Sequence, residues 1–274
     1  MRQILSTSLL SVVMLIAVLL VGACGEHRTD AGPAAKSEAS ELPAVRNMQA
    51  SVAKAMGGEE QVTFTTSDGI VIAGTLYPAG PGSPAVLCLH QWRSERSEFA
   101  PFARKLQAAG ITALTIDMRG YGGSTKTSKG ATVEPGRITA ADIDAAMAFL
   151  RTHKSVDAGR MGLLGASYGS SNAIIYAADH AEIRAVALLS PGLNYHKVLP
   201  TEPAVTRYGK RPLLAIAGSE DMRSVEAVAR FRDIAGMSIT TKLFENGGHG
   251  VELFAAHAAS ADMVLQFFQK NLKK

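Results

Sequence analysis

The sequence contains little cysteine, and its two cysteines, Cys24 and Cys88, form no metal-binding or redox pattern. It has no Cys-x-x-Cys pair and no His-Glu-x-x-His motif, so nothing in it indicates a catalytic metal. Cys88 lies inside a short apolar run and is most simply a small buried side chain. We therefore expect a protein that needs neither a metal nor another cofactor.

The chain also lacks a strong charge of either sign. Lys and Arg number 28 against 24 Asp and Glu, which gives a formal net charge of +4 over 274 residues. This excess is too small and too dispersed to indicate a nucleic-acid surface. A dinucleotide-binding fingerprint is incomplete as well, because Thr125 stands where the last glycine of G-x-G-x-x-G would be. No nucleic-acid partner is expected.

One long apolar run, residues 4–21, follows Arg2 and is typical of a secretory signal. It ends in Val21-Gly22-Ala23-Cys24, which resembles the lipobox of bacterial lipoproteins. The resemblance implies cleavage before Cys24 and a lipid on its thiol, which anchors the protein in the bacterial cell envelope. Because Gly25 rather than aspartate follows, it implies the outer membrane, facing the periplasm. An uncleaved transmembrane anchor is the alternative.

Composition divides the chain into three segments. Residues 1–23 are the predicted lipoprotein-type signal peptide, and residues 24–60 are rich in Ala, Ser, Glu, Pro and Gly, as in a flexible tether. Residues 61–274 have the length of one catalytic domain. With Cys24 assigned to the anchor, Cys88 has no partner for an intramolecular disulfide.

Within residues 61–274, β-rich and helical segments alternate. Two β-rich stretches flank Ser67-Asp68-Gly69 and predict an antiparallel hairpin; short apolar strands alternating with helices follow it. This order predicts a mostly parallel, eight-stranded sheet with helices on both faces and a ligand site beyond the carboxyl ends of its strands. The predicted strands are 62–66, 70–77, 86–90, 112–116, 161–164, 185–189, 213–217 and 240–244, and the last predicted helix is 251–270.

The pentapeptide Gly165-Ala166-Ser167-Tyr168-Gly169 lies between a predicted strand and a predicted helix. That context is the one a nucleophile elbow requires, where a serine occupies a strained turn and small residues stand two positions to either side. Ser167 is therefore the candidate nucleophile. An ordinary turn between a strand and a helix is the alternative.

A nucleophilic serine needs a base to take its proton and an acid to orient that base. Asp221 follows the predicted strand 213–217, and His249 follows the last predicted strand, 240–244. The chain order Ser167, Asp221, His249 is the order expected for such a triad. Two alternatives stay open for the acid: the adjacent Glu220 is a second candidate, and Asp221 could serve only to cap a helix.

From about residue 62 to its end, the chain resembles the α/β-hydrolase superfamily. Residues 156–169 are similar to the dienelactone-hydrolase-like and prolyl-oligopeptidase-like branches, and residues 117–124, DMRGYGGS, resemble the superfamily's D-x-R-G-x-G-x-S loop. The resemblance implies the α/β-hydrolase fold and a serine hydrolase mechanism. The glycines of the DMRGYGGS loop allow tight turns, so we expect this loop to be architectural.

An oxyanion hole needs two backbone N–H donors. Tyr168, directly after the candidate nucleophile, is expected to supply one of them. The second should come from the loop after the third strand, where relatives usually read His-Gly-x and this chain reads His90-Gln91-Trp92. By position the N–H of Trp92 is the first candidate and that of Gln91 is the alternative, whereas His90 is expected to brace the loop.

The segment 190–211, where relatives with large lids carry them, is short in this chain. We therefore expect a short lid and an open site for small or medium acyl groups. The sequence predicts a serine hydrolase that cleaves small-molecule carboxylic esters through an acyl-enzyme intermediate. An acylaminoacyl- or dipeptidyl-type serine peptidase is one alternative, and a non-catalytic lipoprotein binding module on the same fold is another.

Overall fold

The computed structural model describes residues 58–136 and 139–273. The predicted signal peptide, Cys24 and nearly all of the predicted tether lie outside these residues, so the anchor stays a prediction. None of the helices in the described part combines the length and the apolar character needed to cross a membrane.

A central β-sheet organises the molecule, and its strands alternate in sequence with helices. The strands are β1 Glu60–Thr65, β2 Ile70–Tyr77, β3 Ser83–Leu89, β4 Thr112–Ile116, β5 Lys126–Thr127, β6 Val156–Ala166, β7 Ile183–Leu189, β8 Asn194–Tyr195, β9 Leu199–Pro200, β10 Leu213–Gly218 and β11 Ile239–Phe244. The α-helices are α1 Ala100–Ala108, α2 Ala140–Thr152, α3 Tyr168–Asp179, α4 Glu202–Tyr208, α5 Met222–Ala235, α6 Glu252–Ala256 and α7 Ala258–Asn271.

Eight strands form one continuous path in the order β1-β2-β4-β3-β6-β7-β10-β11, and β5 pairs with β2 as a ninth strand. The β1–β2 and β2–β4 pairs are antiparallel, whereas every pair from β4–β3 to β10–β11 is parallel. The expectation of a mostly parallel sheet is thereby confirmed. Its eight predicted strands are those of the continuous path.

Helices cover both faces of this sheet. Along β3, Leu87 and Leu89 pack into a core that includes residues of α2, α3 and α5, whereas Val86 and Cys88 pack into a second core with residues of α1 and α7. This alternation follows from the two-residue period of a strand and explains why β3 is an unbroken apolar run. Cys88 is fully buried, and burial raises the pKa of its thiol far above its usual range.

The predicted helix 251–270 is wrong in one respect, because the chain breaks at His257 into α6 and α7. His257 has an extended backbone (φ −138°, ψ 101°), and its imidazole lies 2.5 Å from the carbonyl oxygen of Glu245. The hydroxyl of Ser260 donates to the carbonyl oxygen of Leu253 at 2.8 Å and so satisfies an acceptor at the end of α6. These tertiary and side-chain bonds interrupt a segment whose apolar spacing alone favours one helix.

The segment between β7 and β10 is compact, as its length predicts. It contains the hairpin β8–β9 and the short helix α4. Leu199 and Tyr208 are buried in the core beneath it, and the Tyr208 hydroxyl donates to the carbonyl oxygen of Pro212 at 2.9 Å. Residues 190–193 and the turn of the hairpin therefore face the region beyond the carboxyl ends of the strands.

Candidate active site

Ser167 occupies a sharp turn between β6 and α3, with a positive φ of 49° and ψ of −110°. A non-glycine residue in this conformation is strained, and such strain concentrates at functional sites. The flanking glycines make the turn possible. A Cβ on Gly165 would lie 2.3 Å from the carbonyl oxygen of Gly169, and one on Gly169 would lie 2.1 Å from that of Leu89. The sequence therefore forms the elbow through two positions that exclude any side chain.

Three side chains from separate elements meet at this turn. The Nε2 of His249, in the loop after β11, lies 2.7 Å from the Oγ of Ser167. Its Nδ1 lies 2.6 Å from the Oδ2 of Asp221, which follows β10. Because a carboxylate can only accept, the proton belongs on Nδ1, and Nε2 is left free to accept the serine proton. The structure thus brings together the three residues that the sequence nominates for the triad.

The acid that contacts His249 is Asp221 and not its neighbour Glu220. Burial alone would raise the pKa of Asp221, but hydrogen bonds from Ser224 and His249 outweigh it and lower that pKa. Asp221 directly precedes α5, and Ser224 lies in the first turn of that helix, so the Asp221 carboxylate contacts the start of α5 as well as His249. The carboxylate of Glu220 instead accepts the N–H of Gly248 at 2.6 Å, so it supports the backbone of the histidine loop.

Two side chains that the sequence did not single out also hold the loop of His249. Glu252 accepts the backbone N–H of His249 at 2.9 Å, and the hydroxyl of Ser190 accepts the N–H of Gly250 at 2.8 Å. Ser190 directly follows β7 and has a positive φ of 47°, so its backbone is strained like that of Ser167, which directly follows the neighbouring strand β6. The place of Ser190 at a strand end was a usable signal, whereas nothing in the sequence distinguished Glu252 from other helical glutamates.

The two candidate oxyanion donors lie in the expected elements. Tyr168 is the first residue of α3, where backbone N–H groups have no acceptor within the helix. Trp92 lies in a turn closed by the Ser94 N–H, which donates to the carbonyl oxygen of Gln91 at 3.2 Å. The N–H of Gln91, the alternative donor, is already engaged, since it donates to Glu98 Oε1 at 2.8 Å. The geometry therefore favours Trp92 over Gln91.

His90 is fully buried and spans two loops. Its Nδ1 lies 2.7 Å from the carbonyl oxygen of Gln91, and its Nε2 accepts the N–H of Met118 at 3.0 Å. Burial lowers the pKa of His90, which favours the neutral ring that this pair of bonds requires. His90 thus connects the loop after β3 to the DMRGYGGS loop, which is the structural role expected for it.

The side chain of Gln91 lies against the loop that carries His249. A Cβ on Gly250 would lie 2.0 Å from Gln91 Oε1, so the carboxamide packs against the backbone of the histidine loop. Gly250 has a positive φ of 61° and supplies the space for that contact. The lack of a side chain at position 250 therefore accommodates the carboxamide of Gln91.

An open cavity of about 680 Å³ adjoins Ser167 and His249. One wall is the segment from Ser190 to the β8–β9 hairpin, and the other is the start of α5 with Arg223 and Glu226. The ring of Trp92 packs against Tyr195 and His196, two residues of the hairpin wall, at centroid distances of 6.1 and 5.6 Å. Among the described residues, no three His, Cys, Asp or Glu side chains are arranged to hold a metal ion.

These features are those of a known fold family. A family model described as the alpha/beta hydrolase fold matches residues 84–216, and the sheet order and elbow agree with it. The chain has the α/β-hydrolase fold. An esterase of Pyrococcus furiosus superposes with a TM-score of 0.64 at 19% identity, over 81% of this chain and 94% of that one. A dienelactone hydrolase from Anabaena variabilis also gives 0.64, at 20% identity, over 78% and 98%.

The sequence relatives match this chain over only part of their length and of its own. A thiohydrolase of Arthrinium phaeospermum is 33% identical over 137 residues, which are 50% of this chain and 44% of that protein. An uncharacterized protein of Mycobacterium tuberculosis is 31% identical over 182 residues, or 58% and 61% of the two chains. The chain thus spans about half the length of the curated relatives it matches.

Proposed function

We propose that the protein is a serine hydrolase that cleaves carboxylic esters of small or medium acyl groups. The observation that carries this proposal is the continuous contact from Asp221 to His249 to a strained Ser167, with distances of 2.6 and 2.7 Å. A hydroxyl in that arrangement has a base within proton-transfer reach, and the base is held in the required tautomer. The esterase and dienelactone hydrolase of similar fold and the related thiohydrolase support a hydrolase.

The chemistry follows from the positions of these groups. Ser167 Oγ attacks the ester carbonyl carbon while His249 Nε2 takes its proton, and the negative charge forms on the former carbonyl oxygen. The N–H groups of Tyr168 and Trp92 stabilise that oxyanion. His249 then protonates the leaving alkoxide, which leaves an acyl group on Ser167. A water molecule, deprotonated by His249, attacks the acyl-enzyme in the same way and releases the acid.

The lid region supports small or medium acyl groups. The hairpin wall is formed by two two-residue strands, β8 and β9, and the cavity beside it is open. Hydrolysis of long-chain triglycerides at a higher kcat/KM than short-chain p-nitrophenyl esters would contradict this size class.

The proposed activity is tested by labelling with a fluorophosphonate probe at neutral pH. Labelling is expected for the native chain and for Ser219→Ala, an exposed-serine control, and is expected to vanish in Ser167→Ala and His249→Ala. A panel of matched oxygen esters, thioesters and peptide arylamides then reports the substrate class. Preferential arylamide cleavage would favour the peptidase alternative. Ligand binding without labelling or turnover would favour the binding module.

We also propose that Cys24 carries a lipid that anchors the protein in the outer membrane, facing the periplasm. The proposal rests on the lipobox-like tetrad that ends at Cys24. Expression of the full chain in a bacterium with metabolic palmitate labelling tests it, with Cys24→Ala as the variant and Cys88→Ala as the matched control. Label in the native chain and the control but not in Cys24→Ala is expected. Label absent from all three would refute the anchor.

A further inference from the structure

The loop that carries the Trp92 N–H has few backbone bonds of its own. Its turn is closed by one bond, from the Ser94 N–H to the Gln91 carbonyl oxygen, and Arg93 within it has a positive φ of 61°. A non-glycine residue in that conformation costs energy and keeps it only when surrounding contacts impose it. The turn must therefore be fixed from outside.

Glu98 supplies that external contact. It lies on the short 3₁₀ helix Arg96–Phe99, and its Oε1 accepts the backbone N–H of Gln91 at 2.8 Å. The side chain of Ser94 lies beside the same carboxyl and partly offsets the effect of burial, which raises the pKa of Glu98. The carboxyl group thus contacts both ends of the turn, and Trp92 lies between the two contacts. Occupation of the Gln91 N–H also leaves Trp92 as the donor that can turn toward the serine.

The carboxyl of Glu98 has no other use in the described part of the chain. Its second oxygen, Oε2, is buried and has no hydrogen-bond partner there. The 3₁₀ helix is held by different groups: the Arg96 N–H donates to Asp117 Oδ1 at 2.6 Å, and Phe99 is fully buried in the core. Burial of an acidic side chain with one unpaired oxygen costs free energy. A functional role of its remaining contact, with the Gln91 N–H, would account for that cost.

We propose that Glu98 is a positioning residue that sets the second donor of the oxyanion hole by holding the turn 91–94 through the Gln91 N–H. This inference rests on the proposed hydrolase function. It requires the hydrogen-bond acceptor of Glu98 at its present distance and does not require its charge. The DMRGYGGS loop supports the same turn from the other side, since the Tyr121 ring packs edge-on against Trp92 at 5.6 Å.

Two substitutions separate reach from charge. Glu98→Gln keeps an oxygen at the same distance, and its amide group replaces an oxygen that has no partner. Glu98→Asp keeps the charge but withdraws the carboxylate by about one carbon–carbon bond, ~1.5 Å. Glu95→Gln is the matched control, because Glu95 is an exposed acid on the same segment and its carboxylate accepts the hydroxyl of the nearby Ser97 at 2.8 Å.

The variants are compared in kcat and KM for a short-chain p-nitrophenyl ester, in Ki for a trifluoromethyl ketone, and in melting temperature. The ketone forms a tetrahedral adduct whose oxyanion occupies the hole. For Glu98→Asp we expect kcat to fall about 10- to 100-fold and Ki to rise in parallel, with KM within about threefold. The reason is that displacing an oxyanion donor removes part of the transition-state stabilisation that would be lost if the donor were absent. Glu98→Gln should stay within about threefold of the native enzyme and of Glu95→Gln.

Equal kcat and Ki in Glu98→Asp and Glu95→Gln would overturn the proposal, as would a loss in Glu98→Gln as large as that in Glu98→Asp. A drop in melting temperature without a change in ketone affinity would assign Glu98 a purely structural role and would also overturn it. If Glu98→Asp does not fold, Ser94→Ala is tested in its place by kcat for the ester and Ki for the ketone, and values equal to those of Glu95→Gln would overturn the proposal. Failure of the hydrolase proposal itself is recognised separately, since the native chain would then neither turn over esters nor bind the ketone.

Discussion

Gly169 is the position where one added methyl group should cost the most activity. A Cβ there would lie 2.1 Å from the carbonyl oxygen of Leu89, 2.6 Å from its carbonyl carbon and 2.7 Å from the carbonyl oxygen of His90. Ordinary contact begins near 3.4 Å, so the start of α3 and the end of β3 must separate by roughly 1 Å. All three obstructing atoms belong to the backbone and cannot rotate away.

This separation displaces the two oxyanion donors relative to each other, because Tyr168 moves with α3 and Trp92 follows the end of β3. A 1 Å misplacement of reacting groups can cost about 100-fold in rate. We therefore expect Gly169→Ala to lower kcat by about 100-fold. Overpacking should also remove about 1–3 kcal/mol of stability, which is a fall of roughly 2–12 °C in melting temperature for a domain of this size.

The assay is steady-state hydrolysis of a short-chain p-nitrophenyl ester together with thermal unfolding. Gly159→Ala is the control, since Gly159 lies at an exposed position of the same strand, β6. A Cβ there would meet two side-chain atoms and no backbone, an oxygen of Asp157 at 3.3 Å and a guanidinium nitrogen of Arg184 at 3.8 Å. A kcat for Gly169→Ala within twofold of that of Gly159→Ala, with an unchanged melting temperature, would refute the reasoning. It would mean that the backbone contacts at the elbow relax without displacing the donors.

Three further predictions concern carboxylates. Asp221→Asn should lower kcat for ester hydrolysis by about 10³–10⁴-fold, because the amide favours the wrong tautomer of His249. Glu220→Gln should change kcat less than about tenfold. Equal losses in the two variants would contradict the assignment of Asp221 as the acid of the triad. Asp68 bonds Arg119, and the bonds lower its pKa to about 2. A carboxyl whose pKa is lower in the folded than in the unfolded protein stabilises the fold above the unfolded pKa, and this stabilisation is lost as the pH falls toward the folded pKa. Asp68→Asn should therefore reduce the fall of the melting temperature between about pH 4 and 2. The same fall in the variant and the native protein would contradict this role of Asp68. Asp142→Ala should lower the unfolding free energy in urea by about 3–5 kcal/mol, because the buried Asp142 carboxylate accepts two hydrogen bonds from the Arg119 guanidinium and one from its N–H; a loss below about 1 kcal/mol would show that this pair is not needed.

Much of the fold could be predicted from the sequence because its periodicities are strong. Most strands of the continuous path are short apolar runs separated by segments of helical spacing, and each side of the elbow is marked by a glycine that has no room for a side chain. The two-residue strands β5, β8 and β9 could not be predicted, because a strand of that length shows no alternation. The break at His257 was hidden too, since it depends on a contact with Glu245, 12 residues earlier in the chain.

The residues of the site also differ in how far the sequence predicts them. Ser167, Asp221 and His249 each follow a strand, so their chain order predicted a meeting that the structure reproduces. The supporting groups Ser190 and Glu98 accept backbone N–H groups of other loops. The place of Ser190 after a strand was a usable signal, but no residue spacing in the sequence indicated its partner or that of Glu98. The choice between Trp92 and Gln91 depended on one hydrogen bond, from the Gln91 N–H to Glu98, which only coordinates reveal.

The central claim is that Ser167 forms a covalent acyl-enzyme. Its most direct test is to acid-quench the protein within its first turnovers of a p-nitrophenyl ester and to locate the added acyl mass by peptide mass spectrometry. The account predicts the acyl group on Ser167 in the native chain, and no acylated peptide in Ser167→Ala. Ester turnover with the acyl group on another residue, or turnover that persists in Ser167→Ala at the native rate, would contradict it.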